Sequence, residues 1–206
     1  MINYLDLTFL LNKKTPVYPG EPRLRLKTIT KIAKEGYQQS QITLPTHIGT
    51  HLDAPSHIFK SGKKLTDFPV RSFVGDGVLI DARGESILSE KLVASREIKP
   101  NQIVLFYTNH SADFFKEDYF TSGPQMSPGL AEYLASRSVS MVGIDSYSLD
   151  YRPYPAHKIL LKASVLIIEN LTNLGSLLDN KEFTVIALPL KLAAEGSPCR
   201  VIAITT

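Results

Sequence analysis

Between residues 23 and 32 the chain reads RLRLKTITKI, with Leu24, Leu26, Thr28, Thr30 and Ile32 on one side and mostly charged residues on the other. A period of two predicts a strand with one wet face. YQQSQITL follows, with turns supplied by Gly20 and Pro22 before the first strand and by Glu35-Gly36 between the two. From about residue 75 the pattern changes to short apolar runs: GVLIDA (77–82), QIVLFY (102–107), SMVGIDS (140–146), SVLIIEN (164–170), FTVIALPL (183–190) and RVIAIT (200–205). Their length and β-branched content predict strands buried on both faces.

Helix-like segments separate these runs. SEKLVA starts at Ser89, a plausible N-cap. SPGLAEYLASR has Ser127 as a cap and Pro128 at the first helical position, with Leu130, Tyr133 and Leu134 on one face. YPAHKILLKA carries Pro155 early, followed by Ile159, Leu160 and Leu161. Strands alternating with helices predict an α/β protein, with the hairpin-like N-terminal strands adding a mixed or second sheet. The chain shows no repeat, low-complexity tract or linker, so residues 1–206 are expected to form one domain.

Composition changes this picture little. Apolar residues make up 43% and charged residues 21%, the balance of a soluble globular protein. The net charge of +3 comes from scattered Lys and Arg with no basic stripe, so no nucleic-acid partner is expected. A secretory signal pattern and a membrane-length apolar run are both missing, which makes a cytoplasmic location the expectation and excludes a membrane partner. Cys199 is the only cysteine, so no internal disulfide forms; before an apolar run it reads as a small buried thiol.

The chemistry concentrates in residues 47–57, HIGTHLDAPSH, which hold three of the five histidines. A helix would bring His47 and His51 together but leave Asp53 and His57 elsewhere, and Gly49 and Pro55 disfavour one. In an extended chain His47, His51, Asp53 and His57 share one side. A straight strand would hold the two end histidines about 33 Å apart, whereas zinc–nitrogen bonds are only about 2.0–2.1 Å. The segment must therefore bend if its ligands converge, and Gly49 and Pro55 permit the bends. Two imidazoles and a carboxylate suit a divalent ion with open coordination positions. His57 then becomes a candidate proton shuttle. The competing explanation is a chance cluster of surface histidines. His157 at a helix start and Glu169 at the end of an apolar strand are further candidates, each open to a structural reading; His110 reads as structural.

HIGTHLDAPSH resembles the H-x-G-T-H-x-D-x-P-x-H signature of the cyclase family of metal-dependent hydrolases, which includes kynurenine formamidases (arylformamidases) and isatin hydrolases. TPVYPGEP, SPGLAEYLASRSVSMVGIDSYSLD, AHKILLKASVLIIENLTNL and LPLKLAAEGSPCRVIA extend the resemblance nearly end to end. The resemblance implies that His47, His51 and Asp53 hold a first metal. It also implies that Asp53 and Glu169 bridge to a second one bound by His157, and that His57 is the proton donor and acceptor. It implies an α/β fold of the swivelling β/β/α type, with mixed sheets and flanking helices, assembled as a homodimer or homotetramer. Tyr18 stands where the family's PV-W-PG stretch has tryptophan, and offers a ring to an aromatic small-molecule substrate.

The expected function is hydrolysis of an amide-type bond, in an N-formyl aryl amide such as N-formylkynurenine or in a cyclic amide, by metal-activated water. One or two Zn2+ ions are expected, with Mn2+ as the second choice; tryptophan catabolism would be the setting. The alternative is a metal-binding protein of the same fold whose site is structural.

Overall fold

A computed structural model describes residues 1–180 and 182–206. Twelve strands are present among them: β1 (Asn3–Asp6), β2 (Arg25–Thr30), β3 (Gln39–Thr43), β4 (His51–Asp53), β5 (Val74–Asp81), β6 (Ile87–Leu88), β7 (Ile103–Tyr107), β8 (Gln125–Met126), β9 (Met141–Ile144), β10 (Leu166–Glu169), β11 (Phe183–Pro189) and β12 (Gly196–Thr205). Three α-helices accompany them: α1 (Ile32–Glu35), α2 (Pro128–Ser136) and α3 (Pro155–Lys162).

The main sheet runs β1-β12-β11-β5-β7-β9-β10-β4, and β12 also pairs with β4. That extra pairing closes a barrel-like ring of seven strands and leaves β1 attached outside it. β5, β7, β9 and β10 are parallel, whereas β11, β12 and β4 join antiparallel, so this is a mixed α/β protein.

The period-two rule explains the apolar runs. In β7, Ile103 and Leu105 enter one buried cluster and Val104 and Phe106 enter another. The first cluster gathers Leu52, Leu79, Met141, Ile168, Val185 and Val201, from every strand of the ring, and fills its interior. The second joins Ile80, Val142 and Ile167 to Leu130 and Leu134 of α2 and Leu160 and Leu161 of α3, outside the ring. With both faces covered, no polar alternation is needed. Each buried Leu or Ile contributes about 1.5–3 kcal/mol.

α2 has the cap its sequence predicts: Ser127 Oγ accepts the Leu130 N–H at 3.1 Å, and Pro128 opens the helix. SEKLVA is shorter than predicted, a single 3-10 turn over Glu90–Val93 with only Val93 buried. It offers too few apolar positions for a longer amphipathic stripe. The largest departure is at residues 23–32. Ile32 opens α1, and β2 pairs only with β3 in a separate sheet. Leu26, Ile29, Ile32 and Ile42 are all exposed, so no side of this hairpin is dry within one copy of the chain. Among the described residues, no helix is long and apolar enough to cross a membrane.

Candidate metal centre

The short strand β4 lies between β10 and β12, with His51 directly opposite Glu169 and Asp53 opposite Ile167. Leu52 points into the ring, so His51 and Asp53 project outward on the same side as Glu169. The register of one strand pair therefore assembles three of the predicted residues. His157 arrives from the first turn of α3. His47 comes from the loop before β4, where Gly49 adopts φ +58. That backbone conformation favours glycine, and a side chain at residue 49 would also displace the end of Leu11. His57 ends a 3-10 turn opened by Pro55. The straight-strand geometry thus holds only for residues 51–53, and the chain bends on both sides of them.

Two overlapping groups result. His47, His51 and Asp53 present ligand-capable atoms within 4.8 Å of one another, and so do Asp53, His157 and Glu169. Asp53 belongs to both. Its Oδ1 lies 2.7 Å from His47 Nδ1 and 3.5 Å from His51 Nε2, and its Oδ2 lies 3.7 Å from His157 Nε2. Glu169 Oε1 is 3.2 Å from His157 Nε2, and its Oε2 is 3.5 Å from His51 Nε2. All except His47, which is half-buried, are buried.

The hydrogen bonds behind these residues select their tautomers. His51 Nδ1 donates to the Gly49 carbonyl at 2.8 Å, and His157 Nδ1 donates to Asp150 Oδ1 at 2.5 Å. Each bond leaves Nε2 as the free atom, facing the carboxylates. Asp150 is held in turn by the Ala156 N–H at 2.6 Å, and Glu169 Oε1 by the Leu149 N–H at 3.0 Å. Meanwhile His47 Nε2, His51 Nε2 and both Asp53 oxygens are buried without an aligned hydrogen-bond partner. Four unsatisfied polar atoms on three neighbouring residues are costly unless a cation completes them. The residues present fit a divalent ion.

Electrostatics agrees. Burial works against protonation of His47, but Asp53, Glu169 and Glu195 outweigh it and raise its pKa to about 9. His157 is also raised, burial being overcome by Asp150, Asp53 and Glu169. Burial would lift the Asp53 pKa, yet His47, His157 and His51 hold it well below the usual carboxylate range. The site is built for positive charge. His57 differs: it belongs to neither group, and its ring stands 4.1 Å from that of His47 and 6.3 Å from that of His157, centroid to centroid. Crowding by the surrounding protein, followed by the charge of His47 and His157, lowers its pKa against the pull of Asp53 and Glu169.

A cavity of about 650 Å³ opens onto His47, His51, His57, His157 and Glu169. Tyr18 lines it, edge-on to Phe120 at 5.8 Å and tilted on Tyr147 at 6.4 Å. Tyr151 stacks on the other side of this wall, 5.8 Å from Tyr147. The sequence reading missed Asp150, Phe120, Tyr147 and Tyr151, and also Glu195, whose Oε1 is 3.7 Å from His47 Nε2. All of these lie in loops; Asp150 is seven residues before His157, a helical spacing, but precedes α3, so its proximity in the chain was the only signal. His110 lies outside both groups, with Nε2 2.9 Å from the Tyr119 carbonyl and its ring stacked on Tyr119. Cys199 is buried, and its thiol pKa is pushed up by burial and then by Asp53.

Fold and site together define an α/β protein with a histidine–carboxylate centre suited to divalent cations. Residues 5–151 match the Cyclase family, described as putative cyclase. The chain belongs to that family. It is 30% identical to kynurenine formamidase of Bordetella avium (strain 197N), over 96% of this chain and 95% of that protein. It is 29% identical to kynurenine formamidase of Geobacillus thermodenitrificans (strain NG80-2), with the same coverage of 96% and 95%. Among solved structures, isatin hydrolase A from Labrenzia aggregata, bound to benzyl benzoate, superposes with a TM-score of 0.90. That match has 28% identity and covers 100% of this chain and 94% of the other.

Proposed function

We propose that this protein is a metal-dependent hydrolase that cleaves an amide-type bond, in an N-formyl aryl amide such as N-formylkynurenine or in a cyclic amide. The observation that carries this reading is the set of buried, unpartnered atoms of His47, His51 and Asp53, of which His47 and His51 line an aromatic-walled cavity. The names of the relatives, kynurenine formamidase and isatin hydrolase, denote hydrolysis of these two bond types.

His47, His51 and Asp53 would hold one divalent ion, and Asp53, His157 and Glu169 a second. Zinc suits this nitrogen and oxygen set, and manganese is the second choice. Such an ion supplies Lewis acidity, polarising a carbonyl oxygen and acidifying water. The protein's own residues do the rest. Tyr18 and the rings beside it hold the aryl group. His57, with its depressed pKa, is neutral near pH 7 and accepts the proton of the attacking water at a ring nitrogen. It then delivers that proton to the leaving nitrogen. The open cavity favours this chemistry over a purely structural metal, whose coordination shell would be closed.

The swivelling β/β/α description, a single domain spanning residues 1–206 and a cytoplasmic setting remain parts of this proposal. So does assembly as a homodimer or homotetramer, which the exposed apolar positions of the β2–β3 hairpin support. Nucleic acid and membrane are not proposed as partners.

The test is metal content by elemental analysis beside an ultraviolet assay of N-formylkynurenine hydrolysis, on the purified protein and on His57→Ala. Stoichiometric metal in both, with turnover reduced by on the order of 10²–10⁴ in the variant, is expected. Failure to bind metal even after reconstitution would overturn the reading, and unchanged turnover in the variant would remove His57 from the mechanism.

A further inference from the structure

His47 turns its two ring nitrogens to different surroundings. Nδ1 lies 2.7 Å from Asp53 Oδ1, the same oxygen that His51 Nε2 approaches at 3.5 Å. Nε2, on the other edge of the ring, is buried without a hydrogen-bond partner. The backbone of β12 closes in on that edge, since a Cβ on Gly196 would lie 2.8 Å from Nε2. Among the described residues, the one carboxylate in ion-pair reach of Nε2 is Glu195, with Oε1 3.7 Å away. Glu195 is itself held on both sides. Its Oε1 accepts the Thr46 hydroxyl at 2.6 Å, and its backbone carbonyl accepts the Ala54 N–H at 2.8 Å. His47 lines the cavity and Glu195 does not, so this carboxylate stands behind the ring, away from where a substrate enters.

A ligating imidazole carries one proton, on the nitrogen that does not bind the ion. In His51 and His157 that proton is on Nδ1, fixed by the Gly49 carbonyl and by Asp150. His47 is built the other way round. We infer that His47 ligates through Nδ1 and that Glu195 is its positioning residue, accepting the Nε2 proton from behind. Bonds of about 2.0–2.2 Å at a tetrahedral ion set two ligand atoms about 3.4 Å apart. His47 Nδ1 and Asp53 Oδ1 are closer than that, so the ring draws back from Asp53 to admit the ion. Drawing back carries Nε2 toward Glu195 and brings the 3.7 Å separation into hydrogen-bond range. The cation thus completes the buried Nε2 indirectly. It takes Nδ1, and Glu195 takes the proton left on the opposite edge. The inference rests on the proposal that His47, His51 and Asp53 hold a metal.

Nitrogen-15 NMR of the zinc-loaded protein with labelled histidine reads the tautomer of each ring directly. His47 should show zinc on Nδ1 and a proton on Nε2, the reverse of His51 and His157. Zinc affinity, measured by competition with a chromophoric chelator, should fall about 10–100-fold in Glu195→Ala. Glu195→Gln keeps an acceptor oxygen and should recover part of that loss, while Thr46→Val, which frees the carboxylate, should produce a smaller one. A Glu195 that only supports the fold would lower the Tm of Glu195→Ala and leave the zinc affinity of the folded variant unchanged. That result overturns the inference, and so does zinc on Nε2 of His47 in the wild type; both leave the hydrolase reading intact. The wild-type spectrum decides the matter even where a variant fails to fold. A wild type that takes up no zinc overturns the metal reading and this inference with it. Bound zinc in the expected tautomer, without hydrolysis of any amide, supports the inference and overturns the hydrolase reading alone.

Discussion

Asp150 grips His157 from behind: its Oδ1 accepts the ring Nδ1–H at 2.5 Å while its Oδ2 accepts the Ala156 N–H at 2.6 Å. One carboxylate thereby fixes both the tautomer of the ring and the first turn of the helix that carries it. Removing it frees the ring to rotate and removes the negative charge that makes Nε2 a good ligand. Asp150→Ala is expected to weaken metal binding by about 10–100-fold. Titration against a chromophoric chelator measures this, with circular dichroism to verify that the fold is retained. Unchanged affinity in a folded variant would mean that His157 is not a ligand.

The raised pKa values of His47 and His157 set the direction of a pH dependence. Without metal, His47 titrates near pH 9 and so carries a proton at pH 7.5, and the carboxylates around His157 shift it in the same direction. A metal binds only the free imidazole nitrogen and must displace the His47 proton, with any on His157 adding to it. Affinity should therefore fall as pH drops below about 9, by roughly tenfold per unit for each proton displaced. Calorimetry of zinc binding at pH 7.5 in buffers of different ionisation enthalpy should register release of at least one proton. Binding that neither releases protons nor depends on pH would place the ion elsewhere.

What could be read in advance follows from how locally each feature is encoded. The run Ile103–Tyr107 announces itself because both of its faces are buried, and Ser127-Pro128 because a helix start is a few adjacent residues. The histidine segment was legible because its ligands share one short stretch. Closure of the ring was not: it depends on the three-residue strand His51–Asp53 meeting Gly196–Pro198, far away in the chain. The facing of Glu169 and His51 is likewise a matter of register between remote strands. At residues 23–32 the alternation predicted a strand correctly, but alternation says nothing of what covers it. The aromatic wall joins Tyr18, Phe120, Tyr147 and Tyr151, four loop residues that only the fold brings together.

Gly196 shows how tightly the centre is enclosed. A Cβ placed there would lie 2.7 Å from His47 Cε1, 2.8 Å from His47 Nε2 and 3.0 Å from the Leu52 carbonyl oxygen. Real side chains do not tolerate such approaches, so either the ring or the strand must shift. The backbone of β12 is held by its pairing with β4, with Gly196 opposite Asp53, and the Leu52 carbonyl belongs to that same pair. The His47 ring, half-buried on the loop before β4, is the part that yields. Gly196→Ala should therefore cost about 1–3 kcal/mol of stability from overpacking, and it should also weaken metal binding at the His47 group by about tenfold or more. Thermal melting with and without zinc separates the two effects: displacement of the ligand reduces the zinc-dependent rise in Tm as well as the metal-free Tm. If the zinc-dependent rise is undiminished, His47 accommodates the methyl group without leaving the ion, and its place in the first group of ligands is secondary to that of His51 and Asp53.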